Sequence, residues 1–159
     1  MPEEKKFYLT TQGLERIKKE YKDLKNLKLS KTKGEVPKIW QSEDLNPEYL
    51  SFQEDLSFLE SRISELEYIL KNTAPIKPPS KEKQNIINLG ATILVEVDGE
   101  IDEFTIVGTL EADPSKKKIS NESPIGQALL GKKVGETVVT RAAIVNHSCK
   151  IIKIKYNKI

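Results

Sequence analysis

Residues 52–70 read FQEDLSFLESRISELEYIL. Phe52, Leu56, Leu59, Ile63, Leu66 and Leu70 fall at spacings of four, three, four, three and four, a heptad seam sustained for about three repeats. That spacing puts all six on one face of a helix, and such a stripe must be buried against a partner. Just upstream, Asn46 suits an N-cap, Pro47 a first helical position and Glu48 a first turn. The helix they open spans roughly 27 residues, a rod of about 40 Å.

The partner stripe lies earlier in the chain. Leu14, Ile17, Tyr21, Leu24 and Leu27 share a helical face, and Thr10 and Thr11 stand where a cap belongs. Lysines fill the other faces. Gly34 and Pro37 bend, break or restart this helix between Ser30 and Pro37. The connection between the helices is short, so they pack antiparallel as a two-helix coiled-coil hairpin over residues 1–75. Its tip, at about 40–48, carries the acidic turn Asp44-Leu45-Asn46-Pro47-Glu48-Tyr49.

Pro75, Pro78 and Pro79, with Lys77, Lys81 and Lys83, read as a stiff polar linker over 76–86. Beyond it the period changes from helical to alternating. Ala91–Val97 and Ile101–Leu110 read as strands around the hairpin turn Asp98-Gly99. Ser123-Pro124 opens a short helix through Leu130, and Gly131 closes it. Glu136–Ile144 and Cys149–Tyr156 read as two further strands. Residues 87–159 thus form an antiparallel sheet with one short helix. The fold class is α+β in two domains.

Charge is unevenly placed: residues 1–33 hold ten Lys/Arg against five Asp/Glu, and residues 34–70 hold two against nine. A basic first helix therefore runs beside an acidic turn and second helix, an arrangement that either steers a charged partner or complements itself within the hairpin. A lone Cys149 and a lone His147 exclude a disulfide framework or zinc site within one chain. Met1-Pro2-Glu3-Glu4-Lys5-Lys6 is no signal peptide, and no apolar run approaches the ~20 residues of a membrane span. The expectation is a cytoplasmic protein with no membrane association.

Several segments, taken in order, resemble the Gre transcript-cleavage factors of bacterial RNA polymerase. They are Tyr8-Leu9-Thr10-Thr11-Gln12-Gly13-Leu14, Glu48-Tyr49, Glu60-Ser61-Arg62-Ile63, Leu89-Gly90-Ala91-Thr92 and Thr105-Ile106-Val107-Gly108. Ile119-Ser120-Asn121-Glu122-Ser123-Pro124-Ile125-Gly126 and Ala128-Leu129-Leu130-Gly131 complete the set. The resemblance covers nearly the whole chain and implies an N-terminal coiled-coil hairpin and a C-terminal FKBP-like domain. It further implies a monomer that docks on the rim of the polymerase secondary channel and extends the hairpin toward the active centre. There, tip carboxylates help hold a Mg²⁺ shared with the polymerase, and the 3′ segment of a backtracked nascent RNA is cleaved. The factor would have no intrinsic cofactor and would not itself be an enzyme; it would stimulate the polymerase's own endonucleolytic activity.

The family tip reads Asp-Leu-x-Glu-Asn-x-Glu-Tyr, with the first Asp and first Glu as the working pair. Counting from the first helix places Asp44 on that Asp; counting back from Ile63 places Glu48 and Tyr49 on the final Glu-Tyr. Two residues are missing between, so the second carboxylate has no direct counterpart. Glu43 or Glu48 would substitute, or Asn46-Pro47-Glu48 only opens a helix while Glu43 is solvated. The family's basic patch for RNA falls on Trp40 and Gln53, neither of them cationic. Trp40 either stacks on a base or packs. Glu122, Ser123, Pro124 and Ile125 match the segment through which the family engages polymerase, and Ser123-Pro124 also reads as a helix start.

Three other readings compete. A channel binder of the same fold with an altered tip would modulate or inhibit polymerase without cleavage. A coiled-coil interaction module would have no link to transcription. Ala128–Glu136 (ALLGKKVGE) also resembles FKBP prolyl isomerases, but Phe104 and Tyr156 are too few for their aromatic pocket.

Overall fold

A computed structural model describes residues 5–34, 47–142 and 145–157, with side chains for these except 140–142 and 145–147. The chain divides into two compact units, residues 15–72 and residues 1–14 with 73–159. These bounds differ from the reading of 1–75, 76–86 and 87–159, because both ends of the helical segment carry a short strand that pairs in the second unit. Strand β1 (Phe7–Leu9) runs parallel to β2 (Thr73–Pro75). The proline-rich stretch is likewise bound rather than a free spacer. Ile76 is buried and donates its N–H to Leu9 O at 2.9 Å, and the fully buried Ile87 donates to Lys132 O at 2.9 Å.

The helical unit consists of α1 (Thr11–Lys33) and α2 (Pro47–Lys71). They run antiparallel, as their cross-links show: Arg62 meets Glu20, Tyr21 Oη donates to Glu67, Lys28 meets Glu60 and Lys31 meets Asp55. α1 stops just before Gly34. The buried seam of α2 is Leu59, Ile63, Leu66 and Ile69, so its last layer is Ile69 where the heptad count gave Leu70. On α1 the expected Leu27 is exposed, and half-buried Lys28 and Lys31 continue the seam from Leu24. The helical repeat explains this. Positions 21, 24, 28 and 31 stay on one face, while 27 has rotated off it. Each lysine lays its stem on the seam and carries its ammonium out to a carboxylate of α2, both at 3.3 Å.

In the second unit five strands form one sheet in the order β5-β4-β3-β7-β6. Strand β3 (Thr92–Val97) and β4 (Glu100–Val107) form the expected hairpin, and both turn residues, Asp98 and Gly99, have positive φ as a type I′ turn requires. β4 ends at Val107 rather than Leu110, since residues 109–111 turn as 3₁₀ helix. β5 (Lys118–Ser120) pairs with β4 in parallel, giving an otherwise antiparallel sheet one parallel edge that the sequence reading lacked. Helix α3 (Pro124–Leu129) follows, then β6 (Thr137–Ala142) and β7 (Val145–Lys155). Ile87, Ile93, Val95, Ile106, Leu129 and Ile151 are each essentially fully buried and form the centre of the core between sheet and helix. Cys149 is buried with them and forms no disulfide. No helix among the described residues is long and apolar enough to cross a membrane.

Candidate functional site

Asp44, Glu43 and Trp40 lie outside the described residues. Glu48 sits exposed in the first turn of α2, where a carboxylate complements the positive end of the helix dipole. Gln53 is exposed one turn further on, and its amide donates to Tyr49 Oη at 2.7 Å across the i, i+4 spacing. Farther along α2, Arg62 forks onto Glu20 of α1, Nε to Oε1 at 2.8 Å and Nη2 to Oε2 at 3.1 Å, while Nη1 reaches Glu65 at 2.8 Å. Those hydrogen bonds, to Glu20 first and Glu65 second, raise the guanidinium pKa above its ordinary value. The Glu-Ser-Arg-Ile segment therefore acts as a clamp between the two helices.

The sheet unit presents the second candidate region. Ser123 is the N-cap of α3: its hydroxyl accepts from Gly126 N at 3.1 Å and donates to Ser120 O at 2.6 Å. Pro124 takes the first helical position and is exposed, while Ile125 packs partly buried against the core. Gly126 is required here, because a Cβ would run into the Ser120 carbonyl. Glu122 is exposed at the turn entering the helix. Its N–H donates to Ser120 Oγ at 3.1 Å and its Oε2 accepts from Thr109 Oγ1 at 2.9 Å. Thr109 and Ser120 hydroxyls also touch each other at 3.0 Å.

Beside this turn the surface is grooved. Tyr8, Pro75, Pro79, Leu89, Asn121 and Leu130 line an open groove of about 520 Å³. A small depression that shares Tyr8 and Asn121 with this groove is also lined by Lys5, Lys6, Thr109, Leu110 and Glu122. Tyr8 and Leu110 are among the exposed large apolar side chains. The two aromatics considered for an isomerase pocket serve other ends. Tyr156 Oη bonds Ile86 O and accepts from Asn88 N at 2.8 Å, and Phe104 packs against the core under Lys117 Nζ at 5.6 Å from the ring centre.

One residue of the unit escaped the sequence reading altogether. Glu111 is buried, yet its Oε2 accepts from Thr10 N at 2.7 Å and its Oε1 from Thr10 Oγ1 at 2.6 Å. Thr10 in turn caps α1, its Oγ1 accepting from Gly13 N at 3.0 Å. In a capping box the residue three positions after the cap supplies a carboxylate to the cap's N–H. That position is Gly13 here, and Glu111 supplies the carboxylate from 101 positions further along the chain than Thr10. Gly13 has to lack a Cβ, since one would overlap the Glu111 carboxylate. The Leu-Thr-x-x-Gly pattern at the start of the chain is this clasp.

Comparison with known proteins agrees with the order of these features. A model described as transcription elongation factor, N-terminal, matches residues 7–74. A second, transcription elongation factor, GreA/GreB, C-term, matches residues 82–156. The chain is 38% identical over 160 residues to transcription elongation factor GreA of Clostridium acetobutylicum, covering 98% of this chain and 100% of that one. It is 37% identical over 158 residues to the Bacillus subtilis GreA, covering 97% and 99%. Among solved structures, GreA factor homolog 1 (Gfh1) of Thermus thermophilus aligns with a TM-score of 0.42 at 25% identity, over 95% of this chain and 99% of that one. Two family models that together take in almost the whole sequence, and relatives aligned from end to end, decide the assignment. The chain belongs to the GreA/GreB family of transcription elongation factors.

Proposed function

We propose that this elongation factor enters the secondary channel of bacterial RNA polymerase and stimulates cleavage of backtracked nascent RNA, restarting arrested complexes. The observation that carries the reading is the match of both halves of the chain, in order, to the two domains of GreA/GreB factors, with GreA relatives aligned over nearly their full length. In this reading the sheet unit docks through Glu122, Ser123, Pro124 and Ile125 while the hairpin tip reaches the active centre. Trp40 and Gln53 lie against the RNA. The protein works in the cytoplasm as a monomer.

At the tip, Asp44 supplies a carboxylate together with Glu43 or Glu48. Carboxylate oxygens are hard donors suited to Mg²⁺, whose octahedral shell takes more ligands than one tip offers, so the polymerase supplies the others. When bound, the ion activates water and offsets developing negative charge. Glu48 fits such a role chemically, as an exposed carboxylate at the start of α2. A second reading, channel binding without cleavage, is favoured by one observation: the tip is two residues shorter than the family pattern, at the place of the second carboxylate.

Stalled, backtracked complexes incubated with the protein and Mg²⁺ test both. Shortened RNA with released 3′ fragments supports cleavage, and binding or slowed elongation without fragments supports the second reading. No binding at all removes both. Asp44→Ala is expected to lower the cleavage rate at least about 100-fold, the scale for removing a group that acts on the transition state. An unchanged rate would refute the role of Asp44.

A further inference from the structure

We propose that Thr109 and Ser120 are positioning residues that hold the Glu122 carboxylate ready for a cationic or N–H donor group of the polymerase. This rests on the docking role of the 122–125 segment and extends it to two residues from different elements. Thr109 begins the 3₁₀ turn that follows β4, and Ser120 ends β5, so the two hydroxyls come from backbone at the ends of two paired strands. Between them they hold both ends of Glu122: Ser120 Oγ accepts from its backbone N–H at 3.1 Å, and Thr109 Oγ1 donates to its Oε2 at 2.9 Å. The contact between the two hydroxyls at 3.0 Å closes the ring.

An exposed glutamate normally samples many rotamers and gains nothing from being held at the surface. Here one carboxylate oxygen is engaged, and among the described residues no hydrogen bond is made to the other, Oε1. The grip therefore leaves an acceptor oxygen on an exposed side chain that is held at its base. The same turn is braced from behind by Ser123, which bonds Ser120 O at 2.6 Å. A partner that meets a pre-ordered side chain does not have to immobilise it, and a rotamer-rich side chain left free lowers affinity about two- to tenfold. A compact acceptor held this way selects a partner group with a donor, such as an arginine or lysine head, over an apolar one.

The test is a binding titration of the full-length protein and its variants against the cognate RNA polymerase core enzyme, with thermal unfolding recorded in parallel. Thr109→Val is expected to weaken binding about two- to tenfold with unfolding unchanged, and Thr109→Ser to restore it. Glu122→Ala is expected to weaken binding at least as much, and Thr109→Val added to Glu122→Ala to cause no further loss. If Glu122→Ala matters but Thr109→Val binds like the parent, positioning is refuted and docking through Glu122 stands. If Glu122→Ala itself binds like the parent, the docking role of Glu122 fails and the positioning role with it. Equal losses from Thr109→Val in both backgrounds would show that the hydroxyl acts on something other than Glu122, which also overturns the proposal.

Discussion

Replacing Gly13 with alanine should destabilise this protein, although alanine is the better helix former. In an ordinary exposed helix interior the change stabilises by about 1 kcal/mol. At this site the new methyl would occupy space held by the Glu111 carboxylate, which would have to withdraw from Thr10. Withdrawal breaks the bonds at 2.7 Å from Thr10 N and at 2.6 Å from Thr10 Oγ1. Hydrogen bonds to a charged partner contribute about 1.5–3 kcal/mol each. Some of that returns as the displaced carboxylate finds water and the helix gains its propensity. The net loss is then about 2–4 kcal/mol, a fall in Tm on the order of 10 °C for a unit of this size. Calorimetry or far-UV circular dichroism measures it directly. The decisive comparison is the same substitution made in a Glu111→Ala background, where the methyl enters vacated space and should be neutral or stabilising by about 0.5–1 kcal/mol. A Gly13→Ala protein as stable as the parent, or a loss of equal size in both backgrounds, would refute the clasp.

Tyr156 and Gly126 give the further expected outcomes. Burial raises the Tyr156 hydroxyl pKa above its ordinary value of 10.0, so the folded state holds this proton more tightly than the unfolded chain does. Its contribution is therefore complete below about pH 10 and is lost as pH rises through the folded value, and unfolding followed across that range should show a decline that Tyr156→Phe flattens. Tyr156→Phe should itself lose about 1–2 kcal/mol at neutral pH, since Ile86 O and Asn88 N both lose a partner; no loss would show that water replaces the hydroxyl at no cost. Gly126→Ala places a methyl against the Ser120 carbonyl, a backbone atom that cannot swing aside, and should lower stability by about 1–3 kcal/mol in thermal or urea unfolding; an unchanged midpoint would mean that α3 shifts freely.

What could be read from the sequence was local and periodic. The heptad of α2, the Asp98-Gly99 turn and the Ser123-Pro124 start of α3 each declare themselves within a few residues, because the forces that form them act between near neighbours. Leu27 misled for a reason of degree: hydrophobicity picked the leucine, whereas geometry required position 28, and a lysine stem suffices to cover a seam. β1, β2 and β5 are three residues long, too short for any period to appear, and each exists through its pairing with a distant strand. Of the candidate site residues, Ser123 was legible as a cap. The hydroxyls around Glu122 were not, because Thr109 and Ser120 meet only once β5 pairs with β4.

Glu111 is the sharper case. Its contact with Thr10 spans 101 positions, and the sequence holds a single trace of it, a glycine where a capping box would place its carboxylate. Together with Glu122 and Asp113 it shows a recurrent device in this unit, a carboxylate held by a hydroxyl. Thr10 grips Glu111, Thr109 grips Glu122, and Ser115 donates to Asp113 at 2.6 Å, lowering that carboxyl's pKa. The chemistry is shared, and exposure separates the outcomes. Glu111 is buried, and both its oxygens accept from Thr10, so its grip serves the fold. Asp113 turns its bond back onto the 3₁₀ turn that it caps. Glu122 stands exposed with the hydroxyl on one oxygen and caps no turn of its own, and a partner can meet an oriented acceptor only where the grip leaves an oxygen over.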